Sequence, residues 1–229
     1  MNLASLNLSE DVRPNMSRRI AQALREAIVA LELKPGDTIS ESDIASRFGV
    51  SRQPVREAFI QLSEQGLVRV RPQRSTEIVR ISMRDVLNAR FVRVALEVAV
   101  VRKAAEIAPA IAPDVFEEFY AAQAAASGAN DYRSFHRHDD GFHRMIAKLS
   151  GHEFVWKIVD AQKIQMDRVR YLSLAFGMPA TIDEHRGIGK AVVAGDADEA
   201  ERLMRIHLHK IDTRLNQIRD ANREYFAEE

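Results

Sequence analysis

Cysteine is absent from the 229 residues, which removes disulfides, thiolate nucleophiles and cysteine-ligated zinc from the chemistry open to the chain. Any metal must be held by histidine nitrogen and carboxylate oxygen. No run of 18 or more apolar residues occurs, so no segment reads as a membrane-spanning helix. The opening MNLASLNLSEDVRP lacks the basic-then-apolar order of a secretion signal, and a cytoplasmic protein is expected. Net charge is lacking too. Lys+Arg and Asp+Glu number 33 each, so the overall balance neither favours nor opposes a nucleic-acid partner, and the distribution of charge has to decide. With 46% hydrophobic and 29% charged residues, the composition is globular and excludes disordered and collagen-like classes.

The charge is unevenly spread. Between Ile44 and Arg80, seven arginines stand against three glutamates, Glu57, Glu64 and Glu77, an excess made of the side chain suited to phosphate and guanine contacts. The same region reads as three helices and a hairpin. SRRIAQALREAIVAL (17–31) places Ile20, Leu24, Ile28 and Leu31 at helical spacing, with Ser17 as N-cap. After KPGDTIS, Ser40 can cap a second helix that turns Ile44, Ala45 and Phe48 inward and stops at Gly49. GVS is then a helix-turn-helix connector. The third helix, RQPVREAFIQLSEQG, buries Val55, Ala58, Phe59 and Leu62, with Pro54 in its first turn.

That packing leaves Ser51, Arg52, Gln53 and Arg56 on the outer side of the third helix's N-terminal end, where a helix-turn-helix meets bases and phosphates. A solvated, serine-capped helix start is the alternative reading of SRQPVRE taken alone. LVRVR and TEIVRI, separated by PQRS, predict a two-stranded wing. From Met83 onward the sequence turns to Ala-rich amphipathic helices, at roughly 83–108, 113–127, 131–150, 152–175, 180–194 and 197–224, between the breakers APAIAP, SGAN, SGH, FGMP and AGDAD. The expected fold is mainly α, with an N-terminal winged helix-turn-helix over 10–80 and an all-helical bundle over 81–226.

LKPGDTISESDIASRFGVSRQPVREAFIQLSEQGLVRVRPQRSTEIV resembles the winged helix-turn-helix of the GntR family of bacterial transcription regulators, over about residues 15–80. The resemblance implies that Arg52 and Arg56 contact bases and phosphates, with Ser51 and Gln53 as neighbouring contacts and Gln73 and Arg74 as a wing-tip probe of the minor groove. Relatives often carry a long polar residue in place of Ser42 and a glycine in place of Ser75. FVRVALEVAVVRKAA, DDGFHRMIAKLSGHEF and DEHRGIGKAVVAGDADEAERLMRIHL resemble, in that order, the FCD ligand-binding domain of the FadR subfamily.

HRHDDGFHRM (136–145) is the densest cluster of titratable groups, and helical phase divides it. Tyr132, Phe135, Phe142, Ile146 and Leu149 define an inward stripe that contains Asp139, with His143 four residues on. An ionised carboxylate facing a core needs a partner, a proton or a cation. His185, among Ile182, Ile188 and Val192, and His207, among Leu203, Met204, Ile211 and Leu215, also point inward by phase. Asp139, His143, His185 and His207 therefore form a candidate divalent-metal site suited to zinc, with nickel or manganese as alternatives. They also match the Asp-x-x-x-His plus two later histidines of the metal-binding branch of the FCD family. Core histidines held by hydrogen bonds are the alternative. His136, His138, His152 and His209 have no such support and are expected to be exposed, while Asp140 with His136 and His143 makes a rival cluster.

Arg90, Arg93 and Glu97 share a helix face with Val86 and Val100. VRVALE resembles the FCD stretch whose arginine faces the ligand, which implies that Arg93, and more weakly Arg90, binds an effector carboxylate. An Arg–Glu pair solvating the helix face is the alternative. The expected protein is an effector-responsive regulator, a repressor that binds a palindromic operator as a homodimer and senses a small organic or sugar acid at a metal. Two rivals stand beside it. One is a metal-independent sensor of acyl or other apolar ligands. The other is a metal-dependent hydrolase, which the DNA-binding module and the lack of a further inward carboxylate as general base oppose.

Overall fold

The computed structural model describes residues 15–71, 75–107, 112–174 and 177–228. Helix α1 (Met16–Val29) buries Ile20, Leu24 and Ile28 against α3 (Arg52–Glu64), which turns Val55, Phe59 and Leu62 inward. Asn15, and not Ser17, caps α1: its side chain accepts the Ser17 N–H at 3.3 Å, while Ser17 is buried. Between them α2 (Glu41–Phe48) starts at Ser40, whose hydroxyl accepts the Asp43 N–H, and ends at Gly49. The left-handed φ of 65° at Gly49 makes the tight turn into α3.

The wing is a three-stranded antiparallel sheet, not the expected hairpin. Strand β1 (Thr38–Ile39) joins β2 (Val68–Arg69) and β3 (Thr76–Ile78) in the order β1-β3-β2, with Thr38 opposite Glu77 and Val68 opposite Ile78. Two residues after KPGD are too few to show alternation, so β1 leaves no periodic signal.

The remaining elements are helical: α4 (Met83–Glu106), α5 (Glu117–Gly128), α6 (Tyr132–Leu149), α7 (Phe154–Gln162), α8 (Ile164–Leu174), α9 (Met178–Val193), α10 (Ala197–His209) and α11 (Asp212–Ala221). The predicted helix 152–175 is divided at Lys163, and 197–224 at Lys210 and Ile211. Neither break has a glycine or proline to announce it. At Lys163 the backbone flattens to ψ −5°, and the buried ammonium meets Asp140 and Asp167.

Val101, Phe116, Phe142, Ile146, Ile188 and Met204 form the bundle core, each burial contributing about 1.5–3 kcal/mol before entropy is counted. Ile164 of α8 joins the core of the N-terminal head instead. Gln165 donates to Gly66 O at 3.1 Å, and Arg168 donates to Val79 O at 2.8 Å, so α8 is fastened to the head. The C-terminal segment returns to the same junction, where Ile81 N–H donates to Tyr225 O and Ala227 N–H to Ile81 O.

Close approach fixes one glycine. A Cβ at Gly189 would collide with Tyr120 Oη and lie 2.9 Å from Phe116 Cδ2, and Tyr120 Oη donates to His185 O at 3.1 Å. Gly189→Ala is therefore expected to lower unfolding stability by about 1–3 kcal/mol, measured by urea denaturation. An unchanged midpoint would show that α5 and α9 have room to separate.

Candidate functional site

Three helices bring the four inward polar residues together. Asp139 and His143 lie one turn apart on α6, His185 on α9 and His207 on α10. One ring nitrogen of each histidine lies within 4.8 Å of the others. Nε2 of His143 and of His207 are 3.3 Å apart. Asp139 completes the group, its Oδ1 3.7 Å from His185 Nε2 and its Oδ2 3.9 Å from His143 Nε2. The four residues singled out by helical phase thus face one point.

Each imidazole is oriented from behind. His143 Nδ1 is 2.6 Å from Glu97 Oε2, His185 Nδ1 is 3.1 Å from Gln123 Oε1, and His207 Nδ1 is 2.9 Å from Glu184 Oε2. For His185 and His207 the hydrogen-bond acceptor at Nδ1 places the ring proton there and turns the Nε2 lone pair to the centre, while His143 meets Glu97 as a close ion-pair contact. Three converging lone pairs beside a carboxylate repel one another unless a cation lies between them. His185 Nε2 is buried with no hydrogen-bond partner among the described residues. Burial, then the charge of His207, holds the His185 imidazole well below its usual pKa, and burial also lowers that of His207, which favours the neutral form that a metal needs.

Burial alone would raise the pKa of Asp139, but Arg170 and the three imidazoles hold it well below the usual carboxylate range. Arg170, on α8, forms an ion pair with it. Glu97 behaves likewise: burial opposes its charge, and Arg93 and His143 outweigh that to keep it ionised. Arg93 is only 2% exposed and donates to Glu97 at 2.5 Å, so the pair is buried rather than solvating a helix face. Arg93 also lines a cleft of about 90 Å³ with Asp139, Arg170, Thr181, His207 and Lys210. Arg90 lies apart from that lining and pairs with Asp212.

Sequence phase missed several partners. Gln123, Glu184 and Arg170 each meet their partner from another helix, and no spacing within one segment encodes such a pair. His136 is a correction. Its side chain is 12% exposed, held 3.3 Å from Asp167 Oδ1 and 3.6 Å from Asp140 Oδ2. His138 is half-buried, while His152 and His209 are exposed as expected. The rival cluster of Asp140 and His136 therefore forms with Asp167, not with His143. Its centre is already met by a cation, for Lys163 Nζ lies 2.7 Å from Asp140 and 2.6 Å from Asp167.

On the head, Arg52 and Arg56 are exposed and both reach back to Glu41 of α2, at 3.1–3.2 Å. Ser51 and Gln53 are exposed beside them, Gln53 bonding to Glu57. Ser42 Oγ is 2.9 Å from Ser40 Oγ. Gln73 and Arg74 lie outside the described residues.

A winged head with an exposed, arginine-bearing recognition helix, joined to an all-helical bundle, defines a DNA-binding transcriptional regulator. Residues 16–78 match the model for bacterial regulatory proteins of the gntR family, and residues 89–210 match the FCD domain. The HTH-type transcriptional repressor RspR of Escherichia coli K12 is 37% identical over 216 residues, covering 93% of this chain and 95% of the repressor. A probable D-xylose utilization operon transcriptional repressor of Paenarthrobacter nicotinovorans is 28% identical over 207 residues, covering 90% and 88%. Among solved structures, E. coli McbR/YncC superposes with a TM-score of 0.76 at 19% identity, covering 90% of this chain and 99% of that one, a likeness of fold. This chain belongs to the GntR family of regulators, in its FCD-bearing branch, and is not an enzyme.

Proposed function

We propose that the protein is a metal-dependent sensor that controls operator binding, with Asp139, His143, His185 and His207 as the metal ligands and a small organic or sugar acid as effector. The convergence of three imidazole nitrogens, two of them oriented by hydrogen bonds and the third paired with Glu97, carries this reading. Two ligand atoms of a tetrahedral zinc at about 2.0–2.1 Å sit about 3.3–3.4 Å apart, in keeping with the 3.3 Å between His143 and His207 Nε2. Zinc suits these nitrogen and carboxylate donors, and nickel or manganese is compatible with them. Bound metal would supply a Lewis-acidic point for an effector carboxylate.

The chain's own residues do the rest. Arg93, Arg170, Lys210 and Arg214 give the adjoining cleft a cationic wall, and Thr181 adds a hydroxyl. Arg93 is the carboxylate fork of this reading, held by Glu97. Arg90 has no part in this wall, since it lies outside the lining and pairs with Asp212 of α11. The cations of the wall favour an acid as the occupant of the cleft. Retention of zinc should depend on the orienting carboxylate: Glu97→Gln is expected to weaken zinc binding by about 10–100-fold in calorimetric titration, and His185→Ala to abolish it. Wild-type zinc content in His185→Ala, by elemental analysis of untagged protein, would place the metal elsewhere.

Operator recognition is assigned to Ser51, Arg52, Gln53 and Arg56, with the wing-tip Gln73 and Arg74 as minor-groove contacts. Glu41 holds both guanidinium groups on one face of the head, so they approach DNA in a fixed relation. Arg56→Ala or Arg52→Ala is expected to cost about 1–3 kcal/mol per lost base contact. Titration of a fluorescent duplex selected from a random library by the wild-type protein measures this, with zinc content as the control. Full binding by either variant would reject the assignment.

One recognition helix reads one half-site, so a palindromic operator calls for two copies. Leu87 and Phe91, one turn apart on α4, are exposed apolar side chains, Phe91 at 73%, and they supply a face for a homodimer. Phe91→Asp should shift the sedimenting species from dimer to monomer; a dimer that persists in this variant places the interface on another face.

A further inference from the structure

Beyond the candidate metal centre, a line of buried and half-buried charges runs along α8 towards the DNA-binding head. Asp139 divides its two oxygens. Oδ1 faces His185, while Oδ2 holds Arg170. Arg170 Nη1 also reaches Asp167 at 3.2 Å and Asp140 at 3.5 Å. Lys163 bridges the same two carboxylates and lies 3.7 Å from Asp160. Asp160 in turn accepts from Arg25 of α1 at 3.3 Å, through both its side chain and its backbone carbonyl. An unbroken line of alternating charge thus joins the candidate metal ligand to the first helix of the head.

The line crosses a cleft of about 210 Å³ between α1 and α6–α8, whose walls carry Arg25, His136, Asp140, Asp160, Lys163 and Asp167. The charges there have room to change partners. Lys163 and Arg170 are deeply buried and keep their charge: burial works against it, and the surrounding carboxylates raise both pKa values. Where Lys163 and Asp167 are shut away from water, weakening one pair strengthens the next.

We infer that this chain is the route by which the metal-and-effector site acts on the DNA head, with Arg170 as its pivot. The inference rests on the metal reading above. Were Asp139 to ligate a divalent cation, its carboxylate would hold Arg170 less strongly. Arg170 then shifts its share to Asp167 and Asp140, Lys163 is freed towards Asp160, and the grip of Asp160 on Arg25 changes. Because α8 is also pinned to the head by Gln165 and Arg168, a change in the Arg25 tie alters how α1 is held against it. The effect needs only a difference in affinity between two arrangements.

The absence of cysteine makes the test direct. Spin labels on Ser63→Cys in α3 and Glu118→Cys in α5, in the full-length chain, report the distance between head and bundle by pulsed electron resonance, with zinc alone or chelator as the probe. Arg25→Gln removes the guanidinium of the last link and Asp160→Asn removes its carboxylate charge, and both leave Gln165, Arg168 and the four candidate ligands in place. The labelled wild-type background should show a zinc-dependent shift in the distance distribution. Both variants should bind zinc as tightly and lose that shift. A merely structural role for the Arg25–Asp160 tie would move the baseline distance and leave the zinc-dependent difference standing. That result overturns the inference, as does a wild-type background that binds zinc without any shift. A protein that binds no zinc overturns the metal reading itself.

Discussion

A carboxylate sealed inside a helical bundle sets the terms for the rest of this molecule. Asp139 is 2% exposed, and stripping the partner from such a charge costs about 3–5 kcal/mol. Its environment is built to meet that demand on two sides. His185 of α9 faces Oδ1, while Oδ2 takes the Arg170 guanidinium from α8 and lies 3.9 Å from His143 of α6, whose ring in turn meets His207 of α10. Each of those groups is anchored in turn, His143 by Glu97, His185 by Gln123, His207 by Glu184 and Arg170 by Asp167. Placing one charge in the core thus engages the side chains of six helices, α4, α5, α6, α8, α9 and α10.

The same constraint explains why α8 sits where it does. Its polar residues point inward, but they serve two masters. Arg170 and Asp167 answer to the bundle, whereas Gln165 and Arg168 donate to the backbone of the head and Ile164 fills the head's core. Burial lowers the Arg168 pKa to about 10, so it stays charged near neutrality while spending its donors on Val79 O and Gln165 Oε1. A helix committed to both parts makes the junction a wired contact rather than a loose linker.

Much of this was legible in the sequence because it rests on periodicity. The α6 stripe of Phe135, Phe142 and Ile146 picked out Asp139 and His143, and the same test found His185 and His207. The turn at Gly49 and the polar start of α3 were readable for the same local reason. What escaped notice has no local code. Glu184 and Gln123 meet their histidines from other helices, and β1 is two residues long. His136 resembled a surface residue because its partner, Asp167, lies 31 positions on and in another helix. The break at Lys163 coincides with a buried ammonium–carboxylate pair and that at Lys210 with a half-buried pair to Glu184, and neither carries a helix-breaking residue.

The metal assignment is tested most directly by anomalous X-ray diffraction at the zinc edge, on crystals of untagged protein grown with zinc. A single strong peak is predicted among the Nε2 atoms of His143, His185 and His207 and the carboxylate of Asp139. No peak there, or a peak at His136, Asp140 and Asp167 instead, would contradict the account.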